Sequence, residues 1–560
     1  MLRRRSLKTV LLLLVAPTFA LVAASCGGDD DEGGGEGGTL VFGAEADPVV
    51  LDGALVTDGT SIRILYQIYE GLTRLKPGTS DVIPSLATDW ETSADGLTWT
   101  FNLREGVKFH DGEPFNAEAV CFNFNRWYNF PEAFQNANVS YYWQFGFGGG
   151  FAKPAEGAPG PKDSLFKSCE AVDDLTVRLN LNRPSSTVLS TLTLPSLSIG
   201  SPKALQEFGA DRGTVDKEGV LRPSGSYGTQ HPTGTGPFKF ESWTRGDRLV
   251  LSRNEDYWGD EPQLEEIIFR PISDNAARLQ ALQTGEIQGY DLVEPQDVDT
   301  VRGDDQLQLL ERPPFNVGYI GLNQSKPPMD KLQVRQAVAH AVNRQEVVSS
   351  FYGGRGVVAK EFMPKEIFGY AEDVQTYDYN PQKARQLLQQ AGLTLPVEVE
   401  FWYPTDVSRD YMPDPKRNFE AFSSDLNKAG FRVKPRSAPW SPDYTDLVDA
   451  GKAQMYLIGW IADFADPDNF IGTFFQDPGP DWGFENKEIS SLLDRAEEET
   501  DEQKRTELYQ QANRKIMEFL PGVPYVHAKA ALAFQSNVEG YMPSPVGVGG
   551  ESFASVSRGD

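Results

Sequence analysis

Strand-like and helix-like phrases alternate along this chain, and that alternation restricts its fold more than any other feature. Leu97-Thr98-Trp99-Thr100-Phe101-Asn102-Leu103 alternates apolar and polar residues, the two-residue period of a strand with one buried face. Asn380-Pro381, then Ala384, Leu387, Leu388 and Ala391, then Gly392, is a helix phrase. Asn caps it, Pro takes the first turn, the apolar residues share a face and Gly stops it. Asp330 opens a second helix, with Val334, Ala337, Val338, Ala341 and Val342 on one side. Ser273-Asp274 opens a third, which ends at Gly285. Mixed phrases of this kind predict an α/β protein. The 560 residues allow three or four domains or lobes at about 150 residues each. No long linker follows residue 38, so the lobes should pack together with the chain crossing between them.

Residues 1–25 read as a secretory signal peptide. Arg3, Arg4, Arg5 and Lys8 make a basic start, Val10 to Val15 an apolar run, and Ala23-Ala24-Ser25 a small-residue end before Cys26. The run is shorter than the roughly 20 residues of a membrane span. A Cys directly after small residues resembles the lipobox of bacterial lipoproteins, although Ala23 stands where Leu is usual. In that family the Cys is acylated and begins the mature chain; the alternative is nearby cleavage with Cys26 left free. Residues 27–38, GGDDDEGGGEGG, cannot enter a core and read as a flexible acidic tether. The location predicted is extracytoplasmic, on the outer face of the cell membrane or in a periplasm. The chain would touch the membrane only through its lipid. Outside the cytoplasm the pair Cys121 and Cys169 is expected to be bridged, with two buried free thiols as the alternative.

The formal net charge is −28, which speaks against a nucleic-acid partner. Three cysteines and four scattered histidines offer no metal-ligand cluster, so neither metal nor cofactor is expected. No G-x-S-x-G elbow or H-E-x-x-H motif is present, so the chain is not expected to be an enzyme. Carboxylates are too plentiful to exclude a glycosidase by themselves.

Four segments, in order, carry a family resemblance: VIPSLATDWETSADGLTWTFNLREGVKFHDGEPFNAEAV (82–120), PTGTGPFKFESW (232–243) with NEDYWG (254–259), MDKLQVRQAVAHAVNRQEV (329–347), and GWIADFADPDNF (459–470). They resemble the extracytoplasmic solute-binding proteins, family 5, of peptide-type ABC transporters. The resemblance implies a periplasmic-binding-protein-like α/β fold (type II, cluster C): two main lobes closing on a cleft plus an extra inserted lobe. Lobe I would comprise 39–75, 192–312 and 530–560, lobe II 76–191 and lobe III 313–529. It implies a monomeric receptor that hands short peptides to permease subunits powered by a cytoplasmic ATPase. Oligosaccharides, nickel complexes or other small solutes are the alternative ligands, and a secreted hydrolase the remote alternative.

Asp463 stands where peptide-binding members pair an aspartate with the ligand's ammonium. A carboxylate at a dry interface is satisfied by such a partner and rejects uncharged analogues. Trp460 would supply an aromatic wall, and the main chain near Gly459 and Ala462 would pair with an extended peptide. Thr57, Asp58 and Gly59 would form the facing wall, with Thr57 and Gly59 as ligand contacts. Asp466 and Asp468 read as turn and cap residues, Tyr141-Tyr142-Trp143 as lobe II core, with reach into the pocket as the alternative, and His110 as structural. Arg335 reads as an ion-pair partner. Pro232 to Pro237 lacks the Gly-Lys-Ser/Thr ending of a phosphate loop and reads as a backbone turn. Asn343 replaces the Asp that is frequent in the family.

Overall fold

The computed structural model describes residues 38–136, 139–216, 221–546 and 551–559. The signal peptide, Cys26 and most of the tether lie outside the described residues.

Two large sheets carry the fold. The seven-stranded sheet runs, edge to edge, Phe238–Thr244, Arg248–Arg253, Glu266–Pro271, Thr39–Ala44, Gly289–Asp291, Ala531–Gln535 and Leu307–Glu311. Thr39–Ala44 lies parallel to both its neighbours. The six-stranded sheet runs Gly356–Val357, Gly522–Ala528, Asn316–Leu322, Met455–Ile461, Val397–Pro404 and Phe431–Ala438. The chain passes between them twice, after Glu311 and after Ala528. The apolar core divides in the same way. One buried cluster gathers residues between Phe315 and Val546, and another those from Leu40 to Phe269 with Leu532 to Val556.

A four-stranded antiparallel sheet, Ala87–Thr92, Thr98–Leu103, Thr176–Leu181 and Phe166–Asp173, packs with the helix Ala117–Tyr128. Cys121 of that helix is disulfide-bonded to Cys169 of the outer strand, with Cα atoms 5.2 Å apart.

Local chemistry explains the elements. Asn380 accepts from the Lys383 N–H and caps the helix Pro381–Gln390, and Gly392 (φ +78°) takes the left-handed turn beyond its end. Asp274 caps Asn275–Gln283 by accepting from Ala277. The helix Leu332–Ala341 starts one residue later than expected: Lys331 is its N-cap, without a side-chain bond. Arg335 on that helix also corrects the sequence reading. Its guanidinium donates to the carbonyls of Met329, Asp330, Phe519 and Leu520 and to no carboxylate among the described residues, so it ties down the end of the helix Glu502–Phe519. Burial lowers its pKa to about 10. His110 is structural: it is half-buried with Nε2 3.0 Å from the Gly236 carbonyl, and desolvation lowers its pKa to about 4. Gly234 and Gly236 are glycines because the Ile68 carbonyl would lie 2.2 and 2.7 Å from an added Cβ. The 232–237 segment is thus a close backbone crossing.

Candidate functional site

Asp463 follows the strand Met455–Ile461 and opens into a cavity of about 180 Å³ lined also by Thr57, Gly59, Tyr142, Arg409 and Ala462. Thr57 and Gly59 come from the far wall, where Gly59–Ile68 begins. Asp58 between them is spent as that helix's cap, accepting from the Ser61 N–H at 2.8 Å. The Tyr142 hydroxyl donates to Asp463 Oδ1 at 2.8 Å. Asn469 Oδ1 accepts from the Asp463 N–H at 2.7 Å. Asp463 forms no ion pair among the described residues. Burial raises its pKa to about 6, against the lowering by Tyr142 and Asn469. A carboxylate in this state gains from any cation that enters.

The sequence favoured core over pocket for Tyr142; the structure gives it both, a buried side chain that also lines the Asp463 cavity. Its neighbour Trp143 is core, stacked on Phe147, whereas Tyr142 packs with Leu194 and Phe464 and reaches the site. Arg409, which the sequence reading missed, is the only Lys or Arg among the described residues lining the cavity. Its position in a Pro/Asp-rich loop carried no signal of its own.

Gly459 and Trp460 do not line the cavity. Gly459 pairs with Gly318 across the sheet, and a Cβ on Gly459 would meet the Tyr411 ring at 2.3 Å. Both glycines admit the Tyr411 segment to the sheet face, since the Tyr411 carbonyl would lie 2.6 Å from a Cβ on Gly318. Trp460 donates from Nε1 to Asn469 Oδ1 at 3.3 Å and sets its ring edge to Phe474. It therefore braces the residue that holds the Asp463 backbone.

The Ala462 N–H is already used, donating to the Phe315 carbonyl at 2.9 Å. Because antiparallel pairing alternates, the groups of Gly459 and Ile461 face the opposite edge. The Leu457 carbonyl faces that way too and accepts from Tyr444 at 2.7 Å. Val397–Pro404 covers the edge only as far as Tyr456. The backbone groups of Gly459 and Ile461, unlike the Ala462 N–H, thus face the edge that Val397–Pro404 leaves uncovered.

Asp466 caps the turn Pro467–Asn469 and also binds Arg505 through both oxygens, at 2.7 and 2.8 Å. Asp468 makes no ion pair among the described residues, and burial raises its pKa to about 8.

Two large sheets, a chain that crosses between them, and a carboxylate at a small cavity without an ion pair among the described residues define a two-lobe solute-binding protein. Residues 81–482 match the profile of bacterial extracellular solute-binding proteins, family 5 (middle region). The dipeptide-binding protein of Escherichia coli (strain K12) is 33% identical over 521 residues, 91% of this chain and 93% of its own. Heme-binding protein A of Haemophilus influenzae is 32% identical over 530 residues, 93% and 92% of the two chains. The solved periplasmic binding protein DppA of Helicobacter pylori, in complex with the peptide STSA, is similar with a TM-score of 0.75 at 30% identity. That match covers 94% of this chain and 98% of the other. The chain belongs to the bacterial extracellular solute-binding proteins, family 5.

Proposed function

We propose that this protein is the substrate-binding receptor of an ABC importer and that it captures short peptides by their two charged ends. The observation that carries the reading is Asp463, a carboxylate raised to about 6 by burial, without a cation, at a cavity shared with Arg409. Asp463 takes the ligand's ammonium and Arg409 its terminal carboxylate. Tyr142 orients Asp463, Thr57 and Gly59 close the far wall, and Gly459 and Ile461 pair with the peptide backbone. Recognition through the main chain and the ends leaves side-chain choice broad. The names of the relatives support the reading, since one binds dipeptides and a structural neighbour holds a four-residue peptide. No histidine lines this cavity among the described residues, which disfavours a nickel chelate.

In this reading lobe I (39–75, 192–312, 530–560) and lobe III (313–529) close on the ligand, with lobe II (76–191) contributing Tyr142. Cys26 carries the lipid anchor, residues 27–38 hold the body off the membrane, and permease subunits with their ATPase receive the closed form. The protein acts as a monomeric receptor and not as a catalyst.

Native mass spectrometry of the purified protein should release a mixed set of short peptides. Calorimetry should then show that N-acetylation of Ala-Ala removes binding, a loss of about 2 kcal/mol or more. Release of a single sugar, haem or a metal complex would overturn the peptide reading.

A further inference from the structure

Little holds the side chain of Arg409. Among the described residues its guanidinium makes no ion pair and no hydrogen bond, and it lies over the Trp440 ring, 5.6 Å from the centroid. The precision it brings to a ligand therefore starts from its main chain, which is held at both polar groups. The Arg409 N–H donates to the Met412 carbonyl at 3.2 Å, and the Met412 N–H donates to the Arg409 carbonyl at 2.8 Å. The Met412 N–H and the Tyr411 carbonyl belong to one planar peptide unit. Fixing that carbonyl fixes the hydrogen bond from which Arg409 hangs.

The Tyr411 carbonyl accepts from the Tyr352 hydroxyl at 2.8 Å and from the Tyr525 hydroxyl at 3.0 Å. Each hydroxyl in turn accepts from the Asn418 side-chain amide, at 2.9 and 3.2 Å. The network closes on itself: both protons of the amide, both hydroxyls and both lone pairs of the carbonyl are used. Tyr352 follows the helix Arg344–Phe351, Asn418 lies on the helix Pro415–Lys428, and Tyr525 on the strand Gly522–Ala528. None of the three is more than 2% exposed, so water does not compete for these bonds. One donor satisfies a buried carbonyl. Two, brought from separate elements of the core, also fix its direction. The Tyr411 ring is seated by Gly459 on the sheet face, as described above.

Resting on the peptide reading above, we infer that Asn418, Tyr352 and Tyr525 are positioning residues for Arg409. They act through the Tyr411–Met412 peptide unit and set in advance where the guanidinium meets the ligand's terminal carboxylate. An arginine and a carboxylate pair through a fork of fixed geometry. Such a pair depends on the groups that hold its support in place. The other end of the ligand is held separately, because Asp463 hangs from Asn469 and Tyr142.

Competition titrations with Ala-Ala, Ala-Ala amide and N-acetyl-Ala-Ala test this in the wild type, Y525F and Y352F/Y525F. Tyr525 lines neither cavity, so an effect of Y525F is not a lost ligand contact. The preference for Ala-Ala over its amide reads the Arg409 end, and the penalty for acetylation reads the Asp463 end. The wild type should prefer the free carboxylate ~30-fold or more. That preference should fall ~threefold in Y525F and ~tenfold in the double variant, while the acetylation penalty stays within ~twofold. A merely structural role would lower all three affinities together and leave both ratios unchanged. An undiminished preference for the carboxylate in Y525F and in the double variant overturns the positioning role. If the double variant fails to fold, Y525F and hydrogen exchange of the ligand-free wild type decide the matter. The Met412 amide should then be protected ~100-fold or more, and protection below ~tenfold overturns the role. Equal wild-type affinities for Ala-Ala and its amide remove Arg409 from the reading, and its positioning residues with it. Failure of all these peptides to bind the wild type overturns the peptide reading itself.

Discussion

Asp291 is buried and Asp463 half-buried at a cavity, and their carboxylates respond in opposite directions. Asp291 belongs to a closed set with Arg63, Arg312 and Glu551. Arg63 binds Asp291 and, at 3.5 Å, Glu551; Arg312 binds the same two acids at 2.7 and 2.6 Å. Burial alone would raise the pKa of Asp291, but Arg312 and Arg63 outweigh it and hold it at about 2. Asp463 has a tyrosine hydroxyl and no cation, so burial raises it to about 6. Burial sets the stakes and the partner sets the sign. A charge that the fold has already paired serves the fold. A charge that the fold leaves unpaired at a cavity is available to a ligand.

The largest test of this contrast is to open the closed set. Asp291→Ala should destabilise the protein by about 3–5 kcal/mol, because Arg63 and Arg312 then share one remaining acid in a dry site. Urea denaturation measures it, and a loss below about 1 kcal/mol would show that water reaches the cluster. Asp463→Asn should do the reverse. Asn still accepts from Tyr142, so folding stability at pH 7.5 should match or exceed the wild type, while affinity for Ala-Ala falls about 30-fold or more, about 2 kcal/mol. A variant that loses stability as well would make Asp463 a structural residue.

This contrast also separates what the sequence carried from what it did not. The helix 381–390 was legible to the residue, because its cap, its apolar spacing and its stop are all local. Asp463, Thr57 and Gly59 were found through the family resemblance, and they do border one cavity. Tyr142 was read first as core because three adjacent aromatics look alike in sequence, and only the packing of Leu194 and Phe464 turns one of them to the site. Gly459 was read as a ligand residue, yet its missing side chain is set by Tyr411, 48 positions earlier in the chain. Arg335 shows the same limit, since the carbonyls it binds belong to a helix end 184 and 185 residues away.

The smallest effect is the most discriminating, because one group should give two slopes of opposite sign. The folded-state pKa of Asp463 lies near 6, above its ordinary 3.8, so the ligand-free protein holds an extra proton between these values. Its contribution to stability is therefore present below 3.8 and is lost as pH rises through about 6. A peptide ammonium favours the ionised form, so affinity should rise over the same range, about tenfold between pH 5 and pH 7. Above about pH 8 it should fall again as the ligand's own amine loses its proton. Asp291, held at about 2, contributes nothing to either slope between pH 5 and 8. Thermal melts and titrations at matched pH values, in wild type and Asp463→Asn, read both slopes. The variant should flatten the two together, and a rise in affinity that survives the substitution would assign the titration to another group.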